Sequence, residues 1–206
     1  HSYENSDDVA EKNVYNYYLS ASDMDKRNAD GAKPLAPYME MLDNSRTTKD
    51  ILEVMANIAK DNYMFSLIPA LVSTDELDTD SHTVYITGAD TGMNAYYLME
   101  DRNAYRAYKQ YLITLFTLAG EDDGNLESRI DAVLSFKTTL AIAALNYYGY
   151  QEFENRYNEY TPQTSAAEFK NIDLKHYFKS MGMELPDRFI VEEVVQMNVI
   201  NNYFTD

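Results

Sequence analysis

The side chains best suited to chemistry in this chain are its histidines and carboxylates, and neither set is spaced for catalysis. The three histidines are His1, His82 and His176. None has a second histidine one helical turn away. The H-E-x-x-H pattern, which sets two imidazoles and a glutamate base on one helix face, is therefore absent. A histidine zinc site within the chain is not expected: His82 reads as a loop or strand-end residue and His176 as a helix-surface or half-buried one. Two acidic clusters, "DELDTD" at 75–80 and "EDDGN" at 121–125, offer the oxygen ligands that Ca²⁺ takes. Neither has the D-x-D-x-D-G spacing that closes on a glutamate. They are expected to be a solvated hairpin loop and an interhelix turn rich in capping residues. Serine and threonine nucleophiles need a positioned base and an oxyanion hole, yet no G-x-S-x-G and no glycine-rich phosphate loop occurs. With no cysteine present, disulfides, thiolate catalysis and cysteine-ligated metals are excluded. The residues thus assign no catalytic position, no metal ligand and no substrate-binding position.

Charge narrows the partners. There are 34 acidic residues against 17 basic ones, a formal charge of −17 over 206 residues. Nucleic-acid binding needs clustered lysine and arginine to release counterions from phosphates, so no nucleic-acid partner is expected. Anionic membrane surfaces are disfavoured for the same reason. No apolar run approaches the roughly 18 residues that span a bilayer, so no membrane insertion is expected. The longest, "LAIAAL" at 140–145, lies inside an amphipathic helix. The chain opens on His1 rather than methionine, which reads as a processed end, an expression boundary or a tag remnant, and His1 carries no functional weight.

The elements are mostly helical. Ser6-Asp7-Asp8 suits a helix start, with acidic residues favoured by the helix dipole. Val14, Tyr17, Tyr18, Ala21 and Met24 then share one helical face. Gly31 breaks that run, and Pro34 fits the first turn of a short helix through Leu42. Thr47 with Asp50 resembles a capping pair, followed by the stripe Ile51, Val54, Met55 and Ile58. "FSLIPALVS" and "HTVYITG" read as extended, separated by a polar loop; Pro69 weakens the first strand. Helices resume at Asp101, with a stripe of Tyr105, Tyr108, Leu112, Leu115, Phe116 and Ala119 ended by Gly120. Asn125 can cap the next, whose face is Leu126, Ile130, Val133, Leu134, Leu140, Ala141, Ala144 and Leu145. Ser165 with Glu168 reads as a capping box. Asp173 opens a short helix closed by Gly182, "FIV" at 189–191 is extended, and a last helix runs from about Glu192 to Tyr203. Nineteen tyrosines mostly fall on these stripes, where a ring buries and its hydroxyl stays at the boundary. The expected fold is mainly α: a multi-helix domain with one β-hairpin at about 65–73 and 82–88. No repeat or linker divides it, so residues 1–206 read as a single helical lobe.

Six segments in order resemble the N-terminal helical region of the neprilysin, endothelin-converting-enzyme and oligopeptidase O family of zinc metallopeptidases. Tyr17-Tyr18-Leu19-Ser20-Ala21-Ser22-Asp23, then Gly31 and Pro34-Leu35, is similar to the family's aromatic pair, its "x-S-C-M-D" segment and its Gly-x-x-Pro-Leu. Ala21 stands where vertebrate members have cysteine, as in a bacterial-type, disulfide-free member. "VYITGADTGMNAYYL" (84–98) resembles the family's hairpin strand and turn ending in Tyr-Tyr-Leu, and "AYRAYKQYLITLFTLAGED" (104–122) the helix that follows. "FKTTLAIAAL" (136–145) is similar to "lEtxLAxas", with Lys137 in place of the acid. "RYNEYTPQTSAAEF" (156–169) with "NIDLKHYF" (171–178) resembles "tYNkmtlaeL…niDWkayl", with Leu174 in place of tryptophan. "FIV" at 189–191 matches a short extended piece. One further departure is the family's G-L-P-x-R element, which here reads Thr91-Gly92-Met93-Asn94.

The resemblance implies a two-lobed enzyme. One lobe holds zinc through H-E-x-x-H and a downstream glutamate, while a helical lobe covers the cavity and admits small peptides. This chain looks like the helical lobe. The family's catalytic motif lies beyond residue 206, and its upstream "Y-G-x-F" segment is also absent from the sequence. No catalytic or zinc residue carries over. The implied function is therefore a substrate-gating lobe of a zinc metalloendopeptidase, inactive alone, with no cofactor in this chain and zinc in the complete enzyme. Its partners would be the catalytic zinc lobe of the same parent chain and, through the complete enzyme, small peptides. A free-standing peptide- or protein-binding helical module stays open as the alternative, and so does an unrelated helical protein. Family habit favours the cell envelope or extracellular space and leaves the cytoplasm open.

Overall fold

Helix starts follow their capping side chains. Asp8 accepts from the Ala10 N–H at 2.7 Å and opens α1, Val9–Ser22. Asp23 caps α2, Met24–Asp30, through the Lys26 N–H at 2.8 Å. A 3₁₀ turn with Pro34, Lys33–Leu35, leads into α3, Ala36–Asn44. At the head of α4, Thr48–Asp61, Thr47 and Asp50 cap each other: the Asp50 N–H donates to Thr47 Oγ1 and the Thr47 N–H to Asp50 Oδ2. The computed structural model describes residues 3–4, 6–61, 66–121, 123–144 and 146–205. His1, Phe65, Asp122 and Leu145, which entered the expectations above, lie outside the described residues.

Backbone proximity divides the chain into His1–Pro37 and Tyr38–Asp206. In the first unit, α1 and α2 bury no side chain at all. The stripe of Val14, Tyr17, Tyr18 and Met24 has helical spacing, but it lies in the open, with Tyr17 78% and Tyr18 64% exposed. Periodicity there marks a face without a described partner.

The second unit is built on a small sheet. Strands β1 (Ala70–Thr74) and β2 (His82–Ile86) form the expected antiparallel hairpin, beginning after Pro69, whose carbonyl accepts from the Thr87 N–H. Two short strands extend it: β3 (Asn158–Tyr160) and β4 (Phe189–Val191), in the order β1-β2-β4-β3. β4 pairs parallel to β2 and antiparallel to β3. All three β4 residues are buried, as a strand between two others must be.

Helices cover this sheet. After β2 come α5 (Ala95–Met99), α6 (Arg102–Leu118), α7 (Leu126–Ala143), α8 (Tyr147–Gln151) and α9 (Phe153–Arg156). Beyond β3 are α10 (Pro162–Glu168), α11 (Leu174–Ser180) and, after β4, α12 (Val194–Tyr203). The capping box of α10 is not at Ser165 and Glu168. It lies one turn earlier, between Thr161 and Thr164, because Pro162 presets the first helical φ. Ser165 is buried inside the helix. The main core joins Leu52 and Ala56 of α4, Ile86, Phe189, Tyr177 and Phe178 of α11, and Met197 and Ile200 of α12. A second cluster, Leu98, Leu112, Leu126, Ile130 and Leu134, packs α5, α6 and α7 together. Of the tyrosines, Tyr85, Tyr160 and Tyr177 are buried, whereas Tyr96, Tyr97 and Tyr148 stay exposed.

Tyr177 shows how the core holds its polar atoms. Its hydroxyl lies 2.7 Å from Ser66 Oγ and donates to the Ile68 carbonyl at 2.9 Å, while the Ile68 N–H donates to Ser66 Oγ. Burial pushes the phenol up to about 12, so it stays protonated. Tyr177→Phe should leave a buried carbonyl unsatisfied and lower stability by about 1–3 kcal/mol, read as an earlier urea midpoint with an unchanged slope.

Candidate functional site

Two polar assemblies stand out, both anchored to the sheet. The first gathers where β1 ends. Asp75 is 2% exposed. Its carboxylate accepts from the Leu77 N–H at 2.9 Å, the Tyr157 hydroxyl at 2.7 Å and Arg188 Nη1 at 2.6 Å. Arg188 also donates through Nε to Glu159 at 2.7 Å and through Nη2 to the Tyr157 hydroxyl. Nearby, Arg156 pairs with Glu76 and lies over the Tyr150 ring at 5.5 Å. The Tyr150 hydroxyl in turn donates to Glu192 at 3.1 Å.

Each ionisation follows from this geometry. The Tyr157 hydroxyl, the Leu77 N–H and Arg188 hold the Asp75 carboxyl down to about 2, against some opposition from burial. Burial, and then Asp75, push the Tyr157 phenol up to about 12. Burial raises Glu192, and the Tyr150 hydroxyl partly offsets it. Tyr157 is thus a fixed donor and Asp75 a fixed acceptor, and neither is poised to exchange protons near neutral pH. The assembly pins the hairpin end to β3 and to the segment entering β4.

The second assembly holds the loop after β2. The Ala89 N–H donates to buried Gln196 Oε1 at 2.6 Å, and Gln196 Nε2 reaches the carbonyls of Leu140 at 3.2 Å and Ala89 at 3.4 Å. Lys137 Nζ donates to the Thr91 carbonyl at 2.9 Å and the Tyr108 hydroxyl at 3.1 Å. Gly92 has φ +69°, and a Cβ there would lie 2.7 Å from the Tyr108 hydroxyl and 2.9 Å from Lys137 Nζ. Only glycine suits both the backbone and the space. A hollow of about 370 Å³ lies alongside, lined by Leu67, Asp90, Gly92, Val133, Phe136, Lys137 and Leu140. Among the described residues Lys137 has no carboxylate at ion-pair distance. The sequence shows Lys137 and Thr91–Asn94 as separate departures from the family pattern; the structure brings them into contact.

The remaining sequence candidates do not converge. His176 Nε2 is buried 3.0 Å from Glu53 Oε1, outside hydrogen-bond geometry, and His82 lies exposed at the start of β2. In the 121–125 turn, Glu121 and Asp123 pair with Arg129. Among the described residues no three histidine, aspartate or glutamate side chains could hold a metal ion. The zinc implied by the resemblance therefore finds no fitting ligand set among them. No helix among them is long and apolar enough to cross a membrane.

The Asp75 assembly predicts an acid response. A carboxyl held low in the folded state adds stability above its unfolded value of about 3.9. It loses that contribution as pH falls toward about 2. Thermal melts from about pH 5 to about pH 2 should fall more steeply for the wild type than for Asp75→Asn. The variant should be the less stable at neutral pH, where Arg188 lacks its buried partner.

Comparison with known proteins places the fold. No curated protein matches the chain. The solved structures that it resembles include Mycobacterium tuberculosis zinc metalloprotease Zmp1. For the cryo-electron-microscopy structure in the open state, the TM-score is 0.80 at 17% identity, over 91% of this chain and 30% of that one. For the crystal structure with an inhibitor, it is 0.78 at 16% identity, over 86% and 28%. For the partial open state, it is 0.69 at 16% identity, over 91% and 29%. The chain thus spans under a third of the length of these relatives. At such identity the likeness shows a shared fold. The family model described as Peptidase family M13, in its N-terminal part, matches residues 1–206 throughout, in agreement with the resemblance read from the residues: this chain belongs to peptidase family M13.

Proposed function

We propose that this chain is the substrate-gating helical lobe of a zinc metalloendopeptidase. The observation that carries the reading is the family match over residues 1–206 by a chain spanning under a third of a solved family protease. The solved relative is described in open and partial open states, which supports a lobe that moves to admit substrate. A lid of this kind excludes folded proteins by size and removes bulk water around the reacting group. Zinc and the H-E-x-x-H motif belong to the remainder of the parent protein, and peptides reach them through the cavity that this lobe covers. The open faces of α1, with Tyr17 and Tyr18, fit the same reading, since exposed apolar patches of this kind mark interaction surfaces. Their partner is the catalytic lobe of the same parent chain.

Two results are expected. The purified 206-residue chain should hold no stoichiometric zinc after dialysis and should not cleave a fluorogenic peptide. The complete parent should cleave short peptides but spare a folded protein that carries the same sequence in an exposed loop, and chelation should abolish the cleavage. Chelator-sensitive cleavage by the 206-residue chain, or equal cleavage of both substrates by the parent, would overturn the reading.

A further inference from the structure

β1 ends the sheet, and its outer edge is open. Backbone bonds join the Thr87 N–H to the Pro69 carbonyl and the Asp75 N–H to the Ser81 carbonyl, each at the bonded end of the register that pairs Leu71 with Tyr85 and Ser73 with Thr83. Antiparallel strands bond their partner at alternate residues. Positions 69, 71, 73 and 75 therefore face β2, and Ala70, Val72 and Thr74 turn their backbone groups outward. Among the described residues, nothing bonds the N–H or carbonyl of Ala70 or Val72 on that side; only the Thr74 carbonyl is taken, by the Tyr85 hydroxyl at 3.3 Å. Proteins normally guard such an edge with lysine, proline or a bulge. Within Ala70–Thr74 there is no charged residue and no proline, the register has no bulge, and Val72 is 66% exposed.

The edge has the other parts of a strand-addition site. A hollow of about 350 Å³ is lined by Ala59, Lys60, Ala70, Leu71, Met181 and Met183. Consecutive strand residues point to opposite faces, so a hollow touching both Ala70 and Leu71 lies against the strand's edge. Methionine side chains adapt to varied apolar groups. At the far end of β1, Asp78 and Asp80 are exposed and have no cation partner among the described residues. We propose that the β1 edge binds an extended basic peptide as an added strand. An apolar side chain of that peptide enters the Met181–Met183 hollow, and a basic one lies beside Asp78 and Asp80. Main-chain bonds supply the affinity and the two end contacts supply selectivity, as in other strand additions. The proposal rests on the oligopeptidase-lobe reading only for the class of ligand. Its role there is to hold a peptide in extended form along this edge.

The test titrates the 206-residue chain, by calorimetry and amide hydrogen exchange, with a capped peptide of alternating leucine and lysine. Two twins are compared with it, one N-methylated at alternate residues and one with glutamate for lysine. The parent peptide should bind and slow exchange at Val72 and Thr74, and salt should weaken it. The N-methylated twin should bind about tenfold more weakly or worse. Val72→Pro should do the same without lowering the melting temperature, because proline is tolerated where an edge N–H faces solvent. Met183→Ala should weaken the parent peptide and spare the hairpin. Equal binding of the N-methylated twin, protection confined to other segments, or self-association that Val72→Pro abolishes would overturn the proposal. The last outcome would assign the edge to a second copy. None of these readouts depends on size selection by the parent enzyme, so the two readings can fail separately.

Discussion

The insertion of Phe189–Val191 between β2 and β3 is the constraint on which the second unit depends. It joins Val84–Ile86 to a segment reached only after seven intervening helices and β3. Closing so long a loop costs conformational entropy, though the cost grows slowly with length. The return is a strand buried on both sides and a scaffold for the core. Phe189 lies in contact with Tyr160, their rings 6.3 Å apart, and Tyr160 with Phe169 at 5.4 Å. Arg188, one residue before the strand, reaches Asp75 at the hairpin end, and Gln196, soon after it, reaches the loop at Ala89. Both polar assemblies are therefore tied to the same three-residue insertion. Losing its register would release the hairpin end and the following loop together.

The first unit follows a different logic. Its helices are capped by their own side chains yet bury none of their residues. Short helices without a packed face are marginal in water. The exposed apolar positions of α1 are the ones that the proposed function assigns to an interface. The second unit has two clusters of buried residues of its own. The two units thus differ in how much of their apolar surface they bury themselves.

Local chemistry was the legible part of the sequence. Asp8, Thr47 with Asp50, and Asp173 cap helices as their positions suggest, because the partners lie within one turn. The hairpin was legible for the same reason. What escaped was long-range. Nothing in "YNEY" announces a strand, since β3 exists only because β4 lies beside it. Asp75 looked like one acid in a solvated loop; its burial depends on Arg188, remote in sequence. At Ser165 the capping pattern matched, but Thr161 with Pro162 formed an equally good start one turn earlier. The α1 stripe had the right period for a buried face, and period alone cannot say whether the covering surface belongs to the same unit. Of the loop clamp, the sequence showed both ends and not their meeting.

That meeting couples two positions far apart in the chain. The Lys137 ammonium sits against a backbone carbonyl and a phenol, and fills the space that a Cβ would take at the left-handed Gly92. A carboxylate placed there alone would face the Thr91 carbonyl with no proton to offer. An arginine introduced alone in Thr91–Asn94 would meet the Lys137 ammonium. Each single change is thus unfavourable in the background of the other residue. Lys137 and the Thr91–Asn94 turn therefore act as one coupled unit, so that a change on one side calls for a matching change on the other.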